Sequence, residues 1–141
     1  MNRTTPDLIS SVNETEIFVF GSNESGRHGK GAAKTALRFG AKLGIGNGMS
    51  GNSYAIPTKN AKIRTLGKTK INKYVREFIE YAKENKDKVF LVTEIGCGLA
   101  GYSPEDIAPM FEPTIDIENV HLPAKFWKIL IPIKKIKILL I

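Results

Sequence analysis

Residues Ile17–Phe39 read IFVFGSNESGRHGKGAAKTALRF. The first four form a short apolar run that suits a buried strand. A polar loop from Ser22 to Lys30 follows Gly21, and Ala32, Ala36, Leu37 and Phe39 then fit one face of a helix opening directly after it. The same succession recurs downstream. Ser53–Thr58, SYAIPT, reads as a strand that Pro57 ends or places at an edge. Ile71, Tyr74, Val75, Phe78, Ile79 and Ala82 keep helical spacing, which predicts a helix from Thr69 or Asn72. Val89–Val92, VFLV, is a third strand and runs through Glu94 and Ile95 into a glycine-rich turn. Ser103-Pro104-Glu105-Asp106 then starts a helix that Ile107 to Phe111 continues: serine at the cap, proline in the first turn, acids behind it. Alternating strand, loop and helix predict an α/β domain of three layers, with ligands held beyond the carboxyl ends of the strands.

The glycines mark those strand ends. Of thirteen, four fall in Gly21–Gly31, five in Gly40–Gly51 and three in Gly96-Cys97-Gly98-Leu99-Ala100-Gly101. Glycine is kept where backbone turns at positive φ or approaches something closely, so three clusters suggest loops converging on a ligand. Charge indicates its kind. Between Ser25 and Arg76 there are twelve Lys or Arg and no Asp or Glu, a field that favours an anion such as a phosphate or pyrophosphate.

At 141 residues, 42% hydrophobic and 25% charged, the chain suits one globular domain, residues 1–141. Its net charge of +7 is uneven, since Lys125–Ile141 holds five lysines and no acid. That tail, residues 125–141, has high β-propensity and predicts an edge strand, with a subunit contact or an anionic surface as the alternative. Residues 1–13 read as a loose or loosely docked arm. One cysteine forms no internal disulfide, no apolar leader follows the start, and the tail is too short to span a bilayer, so the expected location is the cytoplasm. His28 and His121 are far apart and no cysteine pair exists, so neither a metal nor a cofactor is expected.

Two common phosphate motifs fail. A P-loop requires Gly, four residues, then Gly-Lys-Ser/Thr, but Gly29-Lys30 is followed by Gly31. Gly46-x-Gly48-x-x-Gly51 follows a helix and precedes a strand, the reverse of a dinucleotide fingerprint. What remains is Gly21-Ser22-Asn23 leading through His28-Gly29-Lys30-Gly31-Ala32-Ala33 into a helix, and Gly96 to Tyr102 leading to a second helix start. Two helix starts facing one cleft suit a diphosphate.

As a set, Gly29-x-Gly31-x-Ala33, Tyr54-Ala-Ile-Pro-Thr58-Lys59 and Ile95-Gly-Cys-Gly-Leu99 resemble three elements of the macro domain, and most closely its branch of terminal ADP-ribose protein glycohydrolases. The order and spacing agree from about Ile17 to Phe111. The Gly-Asn-Ser-Tyr-Ala-Ile-Pro-Thr-Lys pattern also resembles uncharacterised phage and bacterial proteins. The resemblance implies an α/β/α sandwich with a mixed sheet whose cleft holds ADP-ribose. Gly29 to Ala33 would then line the distal ribose, with Gly96, Cys97, Gly98, Leu99, Ala100, Gly101 and Tyr102 wrapping the diphosphate and ribose. Lys59 matches the lysine that the hydrolase branch uses as nucleophile. That branch has an acid after Gly-Cys-Gly-Leu, where this chain has Ala100; Glu94 and Asp106 are the carboxylates nearby in sequence.

Single residues have plainer readings. Lys59 is either that nucleophile or a solvated lysine at a strand end. His28 is a candidate contact to a phosphate or ribose hydroxyl, Tyr102 stacks on a sugar or caps the core, and Cys97 fits as a small apolar filler. Three functions follow: a binder of ADP-ribose or a related nucleotide that also removes ADP-ribose from modified targets, a non-catalytic reader or sponge of a nucleotide signal, and a nucleic-acid-binding module. The third lacks interleaved aromatics, because only Phe39, Tyr54 and Tyr74 occur between Ser25 and Arg76.

Overall fold

A computed structural model describes residues 2–140; the arm and tail read from sequence include Met1 and Ile141, which lie outside them. In chain order the elements are β1 (Thr4–Thr5), β2 (Glu16–Asn23), α1 (Gly31–Ala36), β3 (Gly48–Ser50), β4 (Ser53–Lys59), α2 (Lys68–Glu84), β5 (Val89–Val92), α3 (Pro104–Ile107), β6 (Val120–Pro123) and α4 (Ala124–Leu139). Short 3-10 turns at Leu37–Phe39 and Ala108–Asp116 extend α1 and α3. The six strands form one mixed sheet in the order β1-β6-β5-β2-β4-β3, parallel except where β3 runs against β4.

β2 shows why the sheet has two covered faces. Successive side chains on a strand point to opposite sides. Ile17 and Val19 enter a core with α2, the 108–116 segment and α4, while Phe18 and Phe20 enter a smaller one with Ala33, Ala36 and Phe39. The result is an α/β/α sandwich, as the strand–helix alternation predicts. α2 spends its apolar stripe, Ile71, Val75, Phe78, Ile79 and Ala82, entirely in the larger core.

The helix after the first loop buries Ala33, Ala36 and Phe39, whereas Ala32 is exposed and Leu37 is 40% exposed. The face expected from sequence is therefore displaced by one position at its start. Gly31, at φ +58, is the left-handed residue through which the loop enters this helix.

The N-terminal arm is docked more firmly than the sequence reading has it, and the tail differs from that reading. The arm is tied down by Arg3, whose guanidinium donates to the carbonyls of Thr114, Ile115, Ile117 and Val120 at 2.7–3.1 Å. The same group lies 5.2 Å from the centroid of Trp127, whose indole N–H donates to the Arg3 carbonyl. The Lys125–Leu139 stretch is helical, not an edge strand. The edge beside β6 is already occupied by β1, while Phe126 and Leu130, four apart, are fully buried. Lys134 pairs with Asp116 at 2.9 Å and Lys137 with Glu112, which holds α4 on the 108–116 segment despite Pro132 within it.

Candidate functional site

Parallel strands deliver their ends to one side of the sheet. β2 turns into α1 on one face and β5 leads to α3 on the other, so a crevice opens beyond their carboxyl ends. A cleft of about 590 Å³ occupies that place, within the usual range for small-molecule sites. Most residues expected from sequence line it: Gly21–Asn23, Gly29–Ala33, Thr58 and Lys59, then Gly96, Gly98, Leu99 and Ala100. Arg27, Ile63, Thr93, Glu94 and Ile95 complete the lining. Glu94 was visible as a nearby acid, and Arg27 sits inside the loop already singled out. Ile63 carried no signal.

Backbone is what this cleft offers. Among the described residues, none of the loop, turn and side-chain hydrogen bonds draws on the amides of Gly29, Lys30, Gly31, Ala32 or Ala33. The same holds for Gly96, Gly98, Leu99 and Ala100, whereas Cys97, Gly101 and Tyr102 donate to Glu94, Gly98 and Gly96. Two sets of uncommitted N–H groups therefore border one concavity, an arrangement suited to an anion. Arg27, Lys30 and Lys59 supply positive charge, and the one carboxylate in the lining, Glu94, lies 3.8 Å from Lys125.

Several polar side chains serve the loops themselves. The Ser22 hydroxyl donates to the Gly46 carbonyl, and Thr58 donates to the Ser22 carbonyl at 3.2 Å. Asn23 accepts from the Arg27 amide at 2.9 Å and donates to its carbonyl at 2.7 Å, closing the turn that precedes Gly29. The neighbouring acid, Glu24, is drawn away by Tyr74 and Lys70. The Tyr74 hydroxyl bond holds the Glu24 carboxyl below its usual range and, reciprocally, raises Tyr74 to about 12.

Four expected contacts do not line the cleft. His28 is 2% exposed, its Nε2 bonded to the Lys42 carbonyl and its ring edge-on to Phe20, so it braces the loop from behind. Tyr102 donates its hydroxyl to the Leu66 carbonyl at 2.7 Å. Cys97 turns toward the larger core, where burial pushes its thiol up to about 11. Gly101 closes the turn behind Ala100. Nor does the second helix start face the cleft. Ser103 and Asp106 cap each other there, and Asp106 pairs with Lys68 at 3.3 Å, leaving Glu94 as the candidate acid.

The middle glycine cluster also has another purpose. A Cβ on Gly46 would lie 2.0 Å from the Asn23 carbonyl oxygen, and one on Gly26 would lie 2.4 Å from Gly44. The two loops pack backbone against backbone, so residues 40–52 support the first loop rather than reaching a ligand. A second hollow of about 270 Å³, lined by Asp7, Leu8, Ile9 and Phe18, adjoins the cleft through Ala32, Thr93 and Glu94. Among the described residues no cluster of His, Cys, Asp and Glu could hold a metal, and no helix is long and apolar enough to cross a membrane.

Neither a protein-family model nor a curated protein matches the sequence. Among solved structures, a protein of unknown function from Bacteroides thetaiotaomicron is similar, with a TM-score of 0.54 and 15% identity over 82% of this chain and 88% of that chain. At that identity the likeness concerns the fold alone.

Proposed function

We propose that the protein binds ADP-ribose or a related nucleotide diphosphate-ribose in this cleft. The observation that carries the reading is the pair of uncommitted amide sets, Gly29 to Ala33 and Gly96 with Gly98 to Ala100, bordering one basic cavity. Backbone donors suit a diphosphate, because they offer several N–H groups at fixed positions without side-chain entropy to lose. The adjoining hollow supports a ligand with two separated ends, one in each space. The macro-domain resemblance of the three motifs points to the same class.

Reading a nucleotide signal without turning it over is the favoured mode. Ala100 stands where the hydrolase branch has an acid, and a methyl group moves no proton. A catalytic reading keeps one supporting observation: Lys59 and Glu94 share the lining, a candidate nucleophile and a candidate acid. Lys59→Ala separates the two modes. It abolishes release of ADP-ribose from a modified protein if turnover exists, and leaves a pure reader's binding within a few-fold.

Isothermal titration with ADP-ribose, using AMP and inorganic pyrophosphate as controls, tests the proposal. The expected constant is micromolar, about −8 kcal/mol, with both controls weaker. Gly29→Ala and Gly98→Ala weaken it, because both glycines line the cleft with nothing within 4 Å of an added Cβ. Absence of binding at millimolar ADP-ribose overturns the reading. Tight, steeply salt-dependent binding of single-stranded nucleic acid would replace it with a nucleic-acid module.

A further inference from the structure

Ile63 occupies a backbone conformation that its own side chain opposes. Lys59 and Thr65 bridge in antiparallel fashion across the loop between them. Asn60 organises that loop: its side-chain oxygen accepts from the amides of Lys62 and Arg64 at 2.9 and 3.0 Å, and its carbonyl accepts from Ile63 at 3.0 Å. Short hairpin loops of this kind end on a left-handed residue, which is ordinarily glycine or asparagine. Here it is Ile63 at φ +63, the one non-glycine with positive φ among the described residues. A β-branched side chain in that region is strained, and such strain persists only where something else holds it.

The core does not supply the compensation. Ile63 belongs to neither hydrophobic cluster, remains 37% exposed and lines the cleft. A second large apolar side chain in the lining is similarly left in water: Leu99 is 65% exposed, with its Cδ1 3.5 Å from where a Cβ on Gly31 would sit. Thr65 donates to the Ala100 carbonyl at 2.9 Å, so the Ile63 hairpin and the Leu99 turn are fastened to each other.

We propose that Ile63 and Leu99 form an apolar clamp at the cleft, and that Ile63 is a specificity-determining residue retained at the expense of folding stability. The clamp covers an uncharged face of the ligand while the amides hold its anionic part. It therefore selects a phosphate-bearing ligand with a sugar face over a bare anion. The proposal rests on the nucleotide-binding reading for the ligand's class, and not for the strain or for the exposure of the two side chains.

The test pairs urea unfolding with titration of ADP-ribose, AMP and inorganic pyrophosphate into the wild type, Ile63→Gly, Ile63→Val and Leu99→Ser. Ile63→Gly is expected to raise the unfolding midpoint while weakening ADP-ribose about tenfold, the scale of one partly buried aliphatic side chain. Pyrophosphate, with no face to cover, keeps its affinity within twofold. Ile63→Val retains the β-branch and loses less, and Leu99→Ser loses affinity without the gain in stability. If Ile63→Gly binds ADP-ribose as the wild type does, the clamp is wrong and the nucleotide reading survives. If the wild type takes AMP and not ADP-ribose, with the Ile63 dependence intact, the ligand assignment falls and the clamp stands. If no probe binds the wild type, both are overturned.

Discussion

Gly46→Ala should damage the site from outside it. The added Cβ would lie 2.0 Å from the Asn23 carbonyl oxygen, 2.9 Å from the Gly26 amide and 3.0 Å from the Glu24 carbonyl carbon. All three neighbours are backbone, so no side chain can rotate away. Restoring ordinary contact requires the loops to separate by roughly 1 Å or more. Overpacking costs about 1–3 kcal/mol, and an obstruction made wholly of main chain belongs at the upper end. With a urea slope of about 2 kcal/mol/M, a loss of about 3 kcal/mol lowers the midpoint by about 1.5 M. Gly44→Ala is the control, because Gly44 stands at φ +90 with nothing within 4 Å of an added Cβ. Its cost is backbone strain alone, about 1–2 kcal/mol. The displaced segment includes Ser22, whose hydroxyl bonds the Gly46 carbonyl, and Asn23, both in the cleft lining. Folded Gly46→Ala should therefore bind ADP-ribose more weakly than Gly44→Ala. A midpoint no lower than that of the control would refute the packing argument; unchanged affinity in the folded variant would refute the link to the site.

Arg3→Ala removes a guanidinium that donates to the carbonyls of Thr114, Ile115, Ile117 and Val120 and lies over Trp127, with an expected loss of about 3 kcal/mol by thermal unfolding. Arg3→Lys should recover only part of it, since one ammonium cannot reproduce the fork; equal stability of the alanine variant and the wild type would show the arm to be incidental. Cys97, with its thiol pushed by burial up to about 11, should react with iodoacetamide at pH 8 roughly a hundredfold more slowly than a peptide cysteine near 8.5. The rate should climb about tenfold per pH unit until the thiol titrates, and a peptide-like rate at pH 8 would contradict the half-buried placement against the larger core.

What was legible in the sequence is what periodicity records. α2 buries a regular pattern, and β2, β4 and β5 were legible as short apolar runs. That Ile17 and Val19 face one core while Phe18 and Phe20 face the other is set by strand alternation once the sheet forms. β1 was invisible because two residues have no period, and its place is set by Arg3 reaching chain more than a hundred residues away. The tail misled for a related reason. Its isoleucines suit a strand, but propensity yields to the available surface: with β1 on the edge, helical burial of Phe126 and Leu130 decides the outcome. Ile63 was illegible because nothing in Asn-Ala-Lys-Ile-Arg announces that its fourth residue adopts the geometry of a glycine.

The glycines that suggested the site divide by physical cause, and the division bears on what the site is for. Gly26 and Gly46 are demanded by the fold, since backbone lies within 2.4 Å of any Cβ placed there. Gly31 and Gly96 are demanded by the chain's direction, at φ +58 and +75. Gly29 and Gly98 answer to neither cause. Their φ values are ordinary, and an added Cβ would meet nothing within 4 Å. An alanine there would stiffen the unfolded chain and so favour folding. Both are in the cleft lining and both carry uncommitted amides, one on each loop. If the cleft binds an anion as proposed, a Cβ at either position would crowd the approach to those amides, and the two glycines keep that approach open at a cost in folding entropy. Ile63 carries the opposite signature, a side chain kept where the backbone favours having none. Bare backbone at Gly29 and Gly98 and an apolar side chain at Ile63 are both departures from folding economy, and they meet in one cleft.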